Sequence, residues 1–277
     1  MSTTVLKLSF IAALFILPLS SVAQEFQGQA YYFKKSKLEL GSWGARMSEA
    51  QKKQIQMRLK NRLEKTYVLN FNKEESYFDE EDKLDAMSGA TDSWGKNFSP
   101  GESYKNIRDK QLIQSQEFYG KLFLVKDDLP AIKWKIGKET KKIGEYLCIK
   151  AMATIPSDQL TWYDFSWGQL RNSEQNEDQD GETDEPQIAL TVVEAWYTPQ
   201  IPVAHGPGEF WGLPGLILEV SADDTVMLCS KIIMNPKNKL KIEAPDKGKE
   251  ISKEAYKNTI TMKMKEMRDN RGRRRSR

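Results

Sequence analysis

The chain has 277 residues, with 42 Lys and Arg against 39 Asp and Glu, two cysteines and a single histidine. That inventory excludes a disulfide-stapled miniature fold and a Cys/His zinc module, which need several paired sulfur or imidazole ligands. Seven Trp, ten Tyr and eleven Phe supply apolar surface for one or two domains that bury a core without staples.

Residues 1–23 read as a secretory signal. Lys7 is their only charge, Leu8 to Leu19 is an apolar run broken by Ser9 and closed by Pro18, and Ser21-Val22-Ala23 offers small residues for cleavage. The run is short of the roughly 20 residues of a membrane span, and no cysteine follows it to take a lipid. The expectation is a periplasmic or secreted protein that does not span a membrane.

From residue 24 onward, strand-like runs dominate. A first strand is expected near 28–38. Ser48 to Glu64 is the clearest helix: Ser48 with Gln51 makes a capping box, and Ile55, Leu59 and Leu63 form one apolar stripe expected to lie on a sheet. Short runs follow at Tyr67–Phe71, Ser76–Phe78, Tyr104–Ile107, Gln111–Phe118, Lys121–Val125 and Ile132–Ile136, spaced like a meander of hairpins. In Ile143–Ile155 the two-residue repeat sets Leu147, Ile149, Ala151 and Ala153 against Cys148, Lys150 and Met152. Residues 172–186 are acidic and nearly free of apolar side chains, as in an inserted loop. Strand character resumes at Ile188–Tyr197, and Gly215–Ser221 with Thr225–Met234 makes a hairpin around Asp223-Asp224. Lys253 to Met267 suits a helix. The last ten residues hold six arginines and one aspartate, so the positive charge is concentrated in a tail and the body is slightly acidic.

Strands follow strands without intervening helices, which predicts an antiparallel sheet. The fold class is mainly β (β-rich α+β): a single curved antiparallel sheet or half-barrel with one amphipathic helix packed on it, a closed barrel being the alternative. The domain is expected over 24–236, with the acidic loop inserted at 172–186 and a charged, partly helical extension over 237–277.

Between Pro199 and Gly215 lie four prolines and four glycines, interleaved with Ile201, Val203, Phe210, Trp211 and Leu213. A floppy linker has no use for so much apolar surface, so an ordered loop pinned by its aromatics is expected. Pro214-Gly215 suits a type II turn, with glycine at the positive-φ position. Beyond it, Leu216, Leu218 and Val220 should face one way and Ile217 and Glu219 the other.

The segment Gly212-Leu213-Pro214-Gly215-Leu216-Ile217 is the hexapeptide for which the GLPGLI family is named, and the chain resembles that family of Bacteroidota envelope proteins from about Gly28 to Met234. Glu194-Ala195-Trp196-Tyr197-Thr198, Gly206-Pro207, Phe210, Trp134-Lys135-Ile136, Glu139-Thr140-Lys141-Lys142-Ile143 and Cys148-Ile149-Lys150-Ala151 extend the likeness. The resemblance implies an exported protein without established catalytic residues, often encoded beside TonB-dependent outer-membrane receptors. It nominates His205, Phe210, Trp211, Leu213, Pro214 and Gly215 as candidates for a binding loop.

The residues themselves offer little catalytic chemistry. No Gly-x-Ser-x-Gly elbow accompanies His205, and no glycine-rich phosphate loop or nucleic-acid module occurs. Asn176, Asp178 and Asp180, followed by Gly181, match the first half of a calcium loop, but Gln187 stands where its bidentate glutamate belongs. Cys148 and Cys229 each sit in a strand-like run, and a disulfide between them requires those strands to be neighbours; a bridge and two buried thiols both stay open. No cofactor is implied. The reading is a non-enzymatic binding or accessory partner of an outer-membrane receptor or another envelope protein. The alternative is a carrier of a lipid or other hydrophobic ligand. The arginine tail is suited to anionic surfaces.

Overall fold

A computed structural model of the protein describes residues 26–37, 46–81, 101–160 and 189–275. The signal segment 1–23 and the acidic stretch 172–186, with its calcium candidates Asn176, Asp178 and Asp180, lie outside the described residues.

Twelve strands form one sheet that is not closed into a barrel. In chain order they are β1 (Gly28–Ser36), β2 (Glu64–Phe71), β3 (Glu75–Glu80), β4 (Ser103–Asn106), β5 (Gln111–Phe118), β6 (Lys121–Asp128), β7 (Lys135–Ile143), β8 (Tyr146–Pro156), β9 (Leu190–Thr198), β10 (Leu216–Ala222), β11 (Thr225–Met234) and β12 (Lys249–Ile251). Across the sheet they run β12-β6-β5-β4-β3-β2-β1-β11-β10-β9-β8-β7. Among the described residues three helices are present: α1 (Glu49–Leu63), α2 (Ser157–Leu160) and α3 (Lys253–Arg275). Among the described residues no helix is long and apolar enough to cross a membrane.

Local chemistry explains most of the order. Tyr119 and Gly120 both take positive φ (48° and 75°), the pair of left-handed residues that a two-residue hairpin needs, and they join β5 to β6 with Phe118 opposite Lys121. The sheet is mixed rather than purely antiparallel, because β12 pairs parallel to β6. A three-residue strand carries no readable periodicity, so sequence gave no sign of it. β7 also extends to Ile143, beyond the run expected at Ile132–Ile136. Its Lys-Ile-Gly-Lys-Glu-Thr-Lys-Lys-Ile sequence is polar on both faces because it is the sheet's open edge.

The helix that buries its stripe on the sheet is α3, whereas α1 touches β1 and β2 without burying its own. The capping box of α1 is present: the Gln51 N–H donates to Ser48 Oγ at 3.3 Å and the Ser48 N–H to Gln51 Oε1 at 2.9 Å. Yet Ile55, Leu59 and Leu63 are only half-buried, and no described side chain of α1 is fully buried. In α3, Tyr256, Ile260 and Met264 recur every four residues and bury against Phe118, Phe123 and Val125. Burial at this scale stabilises by roughly 1.5–3 kcal/mol per large side chain. The first turn of α3 is tied down as well. The Lys253 N–H donates to Asp127 Oδ2 at 3.1 Å, and Lys257 pairs with Asp158 at 3.3 Å.

The main core gathers Tyr32, Leu69, Phe71, Phe78, Trp196, Ile201, Leu216 and Leu218. A second cluster holds Ala151, Val193, Tyr197, Phe210, Leu213, Ile217 and Val220. The simple alternation expected along β10 fails because its register against β9 shifts between Ile217 and Glu219. That bulge places Leu216 and Leu218 in one cluster and Ile217 and Val220 in the other, all nearly inaccessible.

Candidate functional site

The proline-glycine segment 199–215 folds as an ordered plug laced to the sheet by backbone hydrogen bonds. The Leu216 N–H donates to Ile201 O at 2.9 Å, the Ile217 N–H to His205 O at 3.0 Å and the Gly212 N–H to Ala204 O at 3.0 Å. Tyr32, on β1, sends its hydroxyl to Ile217 O at 2.6 Å. Two indoles then fasten the plug to the β6–β7 connection: Trp211 Nε1 donates to Pro130 O at 2.7 Å, and Trp134 Nε1 to Trp211 O at 2.8 Å.

The turn in the hexapeptide is not type II. The Gly215 N–H reaches back only two residues, to Leu213 O at 2.8 Å, which makes a γ-type turn centred on Pro214. The positive φ belongs to Gly212, at 92°. Gly215 is required for closeness instead, since a Cβ there would stand 2.2 Å from Thr198 O.

Of the six nominated loop residues, His205, Phe210, Leu213 and Gly215 are buried, Trp211 is half-buried and Pro214 is exposed. His205 is inaccessible, and among the described residues neither ring nitrogen has a partner in hydrogen-bonding geometry, the Asn72 backbone being the nearest to serve as one. Burial pushes its imidazole down to about 3, the charge of Lys105 adds to the shift, and the Asn72 backbone pulls weakly the other way. It is therefore neutral near pH 7 and out of reach of a substrate.

Lys105, in the middle of the fully buried strand β4, escaped sequence reading. Its Nζ donates to Gly206 O at 2.7 Å and Phe210 O at 3.1 Å, pinning both ends of the plug's tip. Burial pushes its ammonium down to about 7, opposed by the Glu209 carboxylate. Nothing local in Ser103-Tyr104-Lys105-Asn106 signals this role, because the partners come about a hundred residues later. Glu209 is occupied elsewhere, accepting from Gln114 Nε2 at 3.3 Å and Lys253 Nζ at 3.2 Å.

A second polar cluster surrounds Trp196. Lys141 Nζ lies 2.8 Å from each Glu219 carboxylate oxygen and 4.3 Å from the indole centroid. Lys150 bridges Glu194 at 2.9 Å and Glu139 at 3.4 Å, and Trp196 Nε1 donates to Glu194 at 2.9 Å. The Lys150 ammonium beside it lowers the Glu194 carboxyl. Each charge has a counter-charge, which suits a structural network.

Cys148 and Cys229 are free, buried thiols within one core cluster. Their strands, β8 and β11, are not neighbours: β9 and β10 lie between them in the sheet. Burial raises the thiols to about 11 and about 12, so both stay protonated and unreactive near neutrality. Among the described residues no group of three or more His, Cys, Asp or Glu is arranged to hold a metal ion.

Beside the plug is a small apolar cleft of about 140 Å³, lined by Pro130, Ile132, Ile155, Leu160 and Phe210 together with Glu209. Its volume is close to the roughly 150 Å³ of an engineered cavity that admits benzene. It suits one ring-sized apolar group.

Over residues 134–219 the sequence matches the model of a family described as a protein of unknown function (Porph_ging). The matched stretch runs from Trp134 to Glu219, and so includes both partnered indoles, the plug and the hexapeptide. No curated protein matches the chain. Among solved structures, two of PNGF-II are similar: one in a C2 space group at 14% identity and TM-score 0.46, the other in P21 at 13% and 0.47. They cover 85% and 84% of this chain, which spans only 32% of each of theirs.

Proposed function

We propose that this chain is an exported envelope protein of the GLPGLI type, and that it works by binding, as an accessory partner of an outer-membrane, TonB-dependent transport system. The signal-like start, the hexapeptide and its context support that reading. The observation that carries binding over catalysis is the fate of the titratable groups. Lys105 and His205 are sealed behind the plug, while a preformed apolar cleft opens beside it. The cleft seats one apolar side chain of the partner, and half-buried Trp211 stands next to it in the chain as an anchor of the kind that dominates interfaces.

Affinity capture from envelope extract tests this. Ile132→Glu and Leu160→Glu each place a charge in the cleft at half-buried positions. Each variant is expected to lose the outer-membrane receptor that the wild type retains, with an unchanged circular-dichroism spectrum. Retention of the same receptor by both variants would remove the cleft as the contact. A second reading, carriage of a hydrophobic ligand, is favoured by the apolar lining but restricted by the volume to a compact ligand. Native mass spectrometry of protein taken from its own envelope decides between them: a bound small-molecule mass supports carriage, and a clean apo mass supports the protein-partner role.

A further inference from the structure

The cleft beside the plug does not end at its apolar walls. A groove of about 510 Å³ opens next to it, and Pro130 and Gln159 line both. The end of β6, α2 and the first turn of α3 give this groove its charges. They do not cancel. Lys253 pairs with Glu209 at 3.2 Å and Lys257 with Asp158 at 3.3 Å, so each ammonium has its own carboxylate. Asp127 accepts the Lys253 backbone N–H at 3.1 Å. Asp128 and Glu254 are left over: both are exposed in the groove, and neither forms an ion pair among the described residues. Lys133 lines the cleft but not the groove.

We propose that the groove receives a basic side chain from the same protein segment that fills the cleft, so that the partner presents an apolar residue and a lysine or arginine two positions apart in an extended stretch. This rests on the reading of the cleft as the seat of a partner's side chain. Charge complementarity names the second residue. Two carboxylates without a cation of their own attract a positive group and repel a negative one. The spacing follows from extended backbone, in which residues i and i+2 point the same way about 7 Å apart. One side chain enters the cleft while the other lies in the groove, across the shared Pro130 and Gln159. Size names a peptide rather than a free amine. The cleft, at about 140 Å³, holds one ring, whereas the groove has room for main chain as well. Gln159 and Asn258 line it with exposed amides, which match the donors and acceptors of a peptide backbone.

Titration calorimetry of the purified full-length protein at low salt tests the proposal. The probes are acetylated, amidated tripeptides, Phe-Gly-Arg, Phe-Gly-Gln and Phe-Gly-Glu, each also made in reverse order, with phenethylamine as the free amine. In one of the two orders the arginine peptide is expected to bind about fivefold more tightly than its glutamine counterpart, and the glutamate peptide more weakly, with the advantage shrinking in high salt. The double variant Asp128→Asn, Glu254→Gln is expected to equalise the arginine and glutamine peptides while the circular-dichroism spectrum persists. Equal binding of these two peptides to the wild type in both orders, or an arginine preference that survives the double variant, would overturn this inference and leave the cleft reading standing. Failure of every phenylalanine peptide to bind would remove both. Tighter binding of phenethylamine than of any tripeptide would make the occupant a free amine and overturn the peptide assignment.

Discussion

Lys105 and Lys141 belong to the same sheet and are accommodated by opposite means. Lys105 is fully inaccessible and leans on two backbone carbonyls, Gly206 O and Phe210 O. Lys141 is about a third exposed and rests between the Glu219 carboxylate and the Trp196 ring. The carbonyl dipoles satisfy the donors of Lys105 without cancelling its charge, so burial drives the group toward neutrality. Lys141 meets the Glu219 carboxylate at a partly exposed position, where such contacts contribute little. The region around the plug is therefore sensitive to packing and pH, whereas the contacts at the edge near β7 are partly exposed and screened by salt.

The strongest way to break this contrast is Gly215→Val. Its Cβ would meet Thr198 O at 2.2 Å, and a loss on the order of 3 kcal/mol is expected in urea unfolding. Undiminished stability would show the plug to be loosely seated.

Next comes Lys105→Met. It deletes a buried charge while leaving two carbonyls without a donor, and the opposing effects should leave stability at pH 7 within about 2 kcal/mol of wild type. The sharper readout is pH. The unfolded chain holds the Lys105 proton up to about 10.5, whereas the folded chain releases it near 7. Between those values the unfolded state binds more protons, so this lysine's contribution to stability rises with pH across the window. The buried thiols act in the reverse sense above pH 9. The difference between wild type and Lys105→Met therefore isolates the lysine, and a pH-independent difference would contradict its burial as a titrating group.

His205 predicts an effect of similar size on the acid side. Its folded value near 3 lies below the ordinary 6.5, so the unfolded state binds more protons between them. Stability is thus full above pH 6.5 and declines as pH falls toward 3, and His205→Phe should flatten that decline in acid titrations followed by tryptophan fluorescence. The smallest effect is expected at the open edge. Lys141→Ala should cost less than about 1 kcal/mol, and less again in high salt. A larger loss would mean that the Trp196 cluster is structural in its own right.

The same contrast explains what could be read from the amino acids alone. Alternation announced the second half of β8, where Ala151 and Ala153 are buried and Met152 is exposed, but it failed in the first half, where Leu147 is exposed and Cys148 is buried. The capping box of α1 was equally plain, being a three-residue signal. Its stripe misled, because Ile55, Leu59 and Leu63 are too few to seal a face when Lys and Arg fill the rest. β7 hid because an edge strand has no buried face to reveal it. The site was less legible still. The plug was visible as an ordered loop, but the roles of Gly215 and Lys105 rest on contacts with Thr198, Gly206 and Phe210, and only the folded chain brings those atoms together.

The pairing of β12 with β6 sets a timetable. Phe123, Leu124 and Val125 meet Lys249, Glu250 and Ile251 only after well over a hundred further residues have been delivered, and β1 waits similarly for β11, Gly28 lying opposite Met234. A chain made from its N-terminus therefore carries two unsatisfied strand borders until nearly all of it has been delivered. A version cut before Lys249 would leave the outer border of β6 without its partner strand for life.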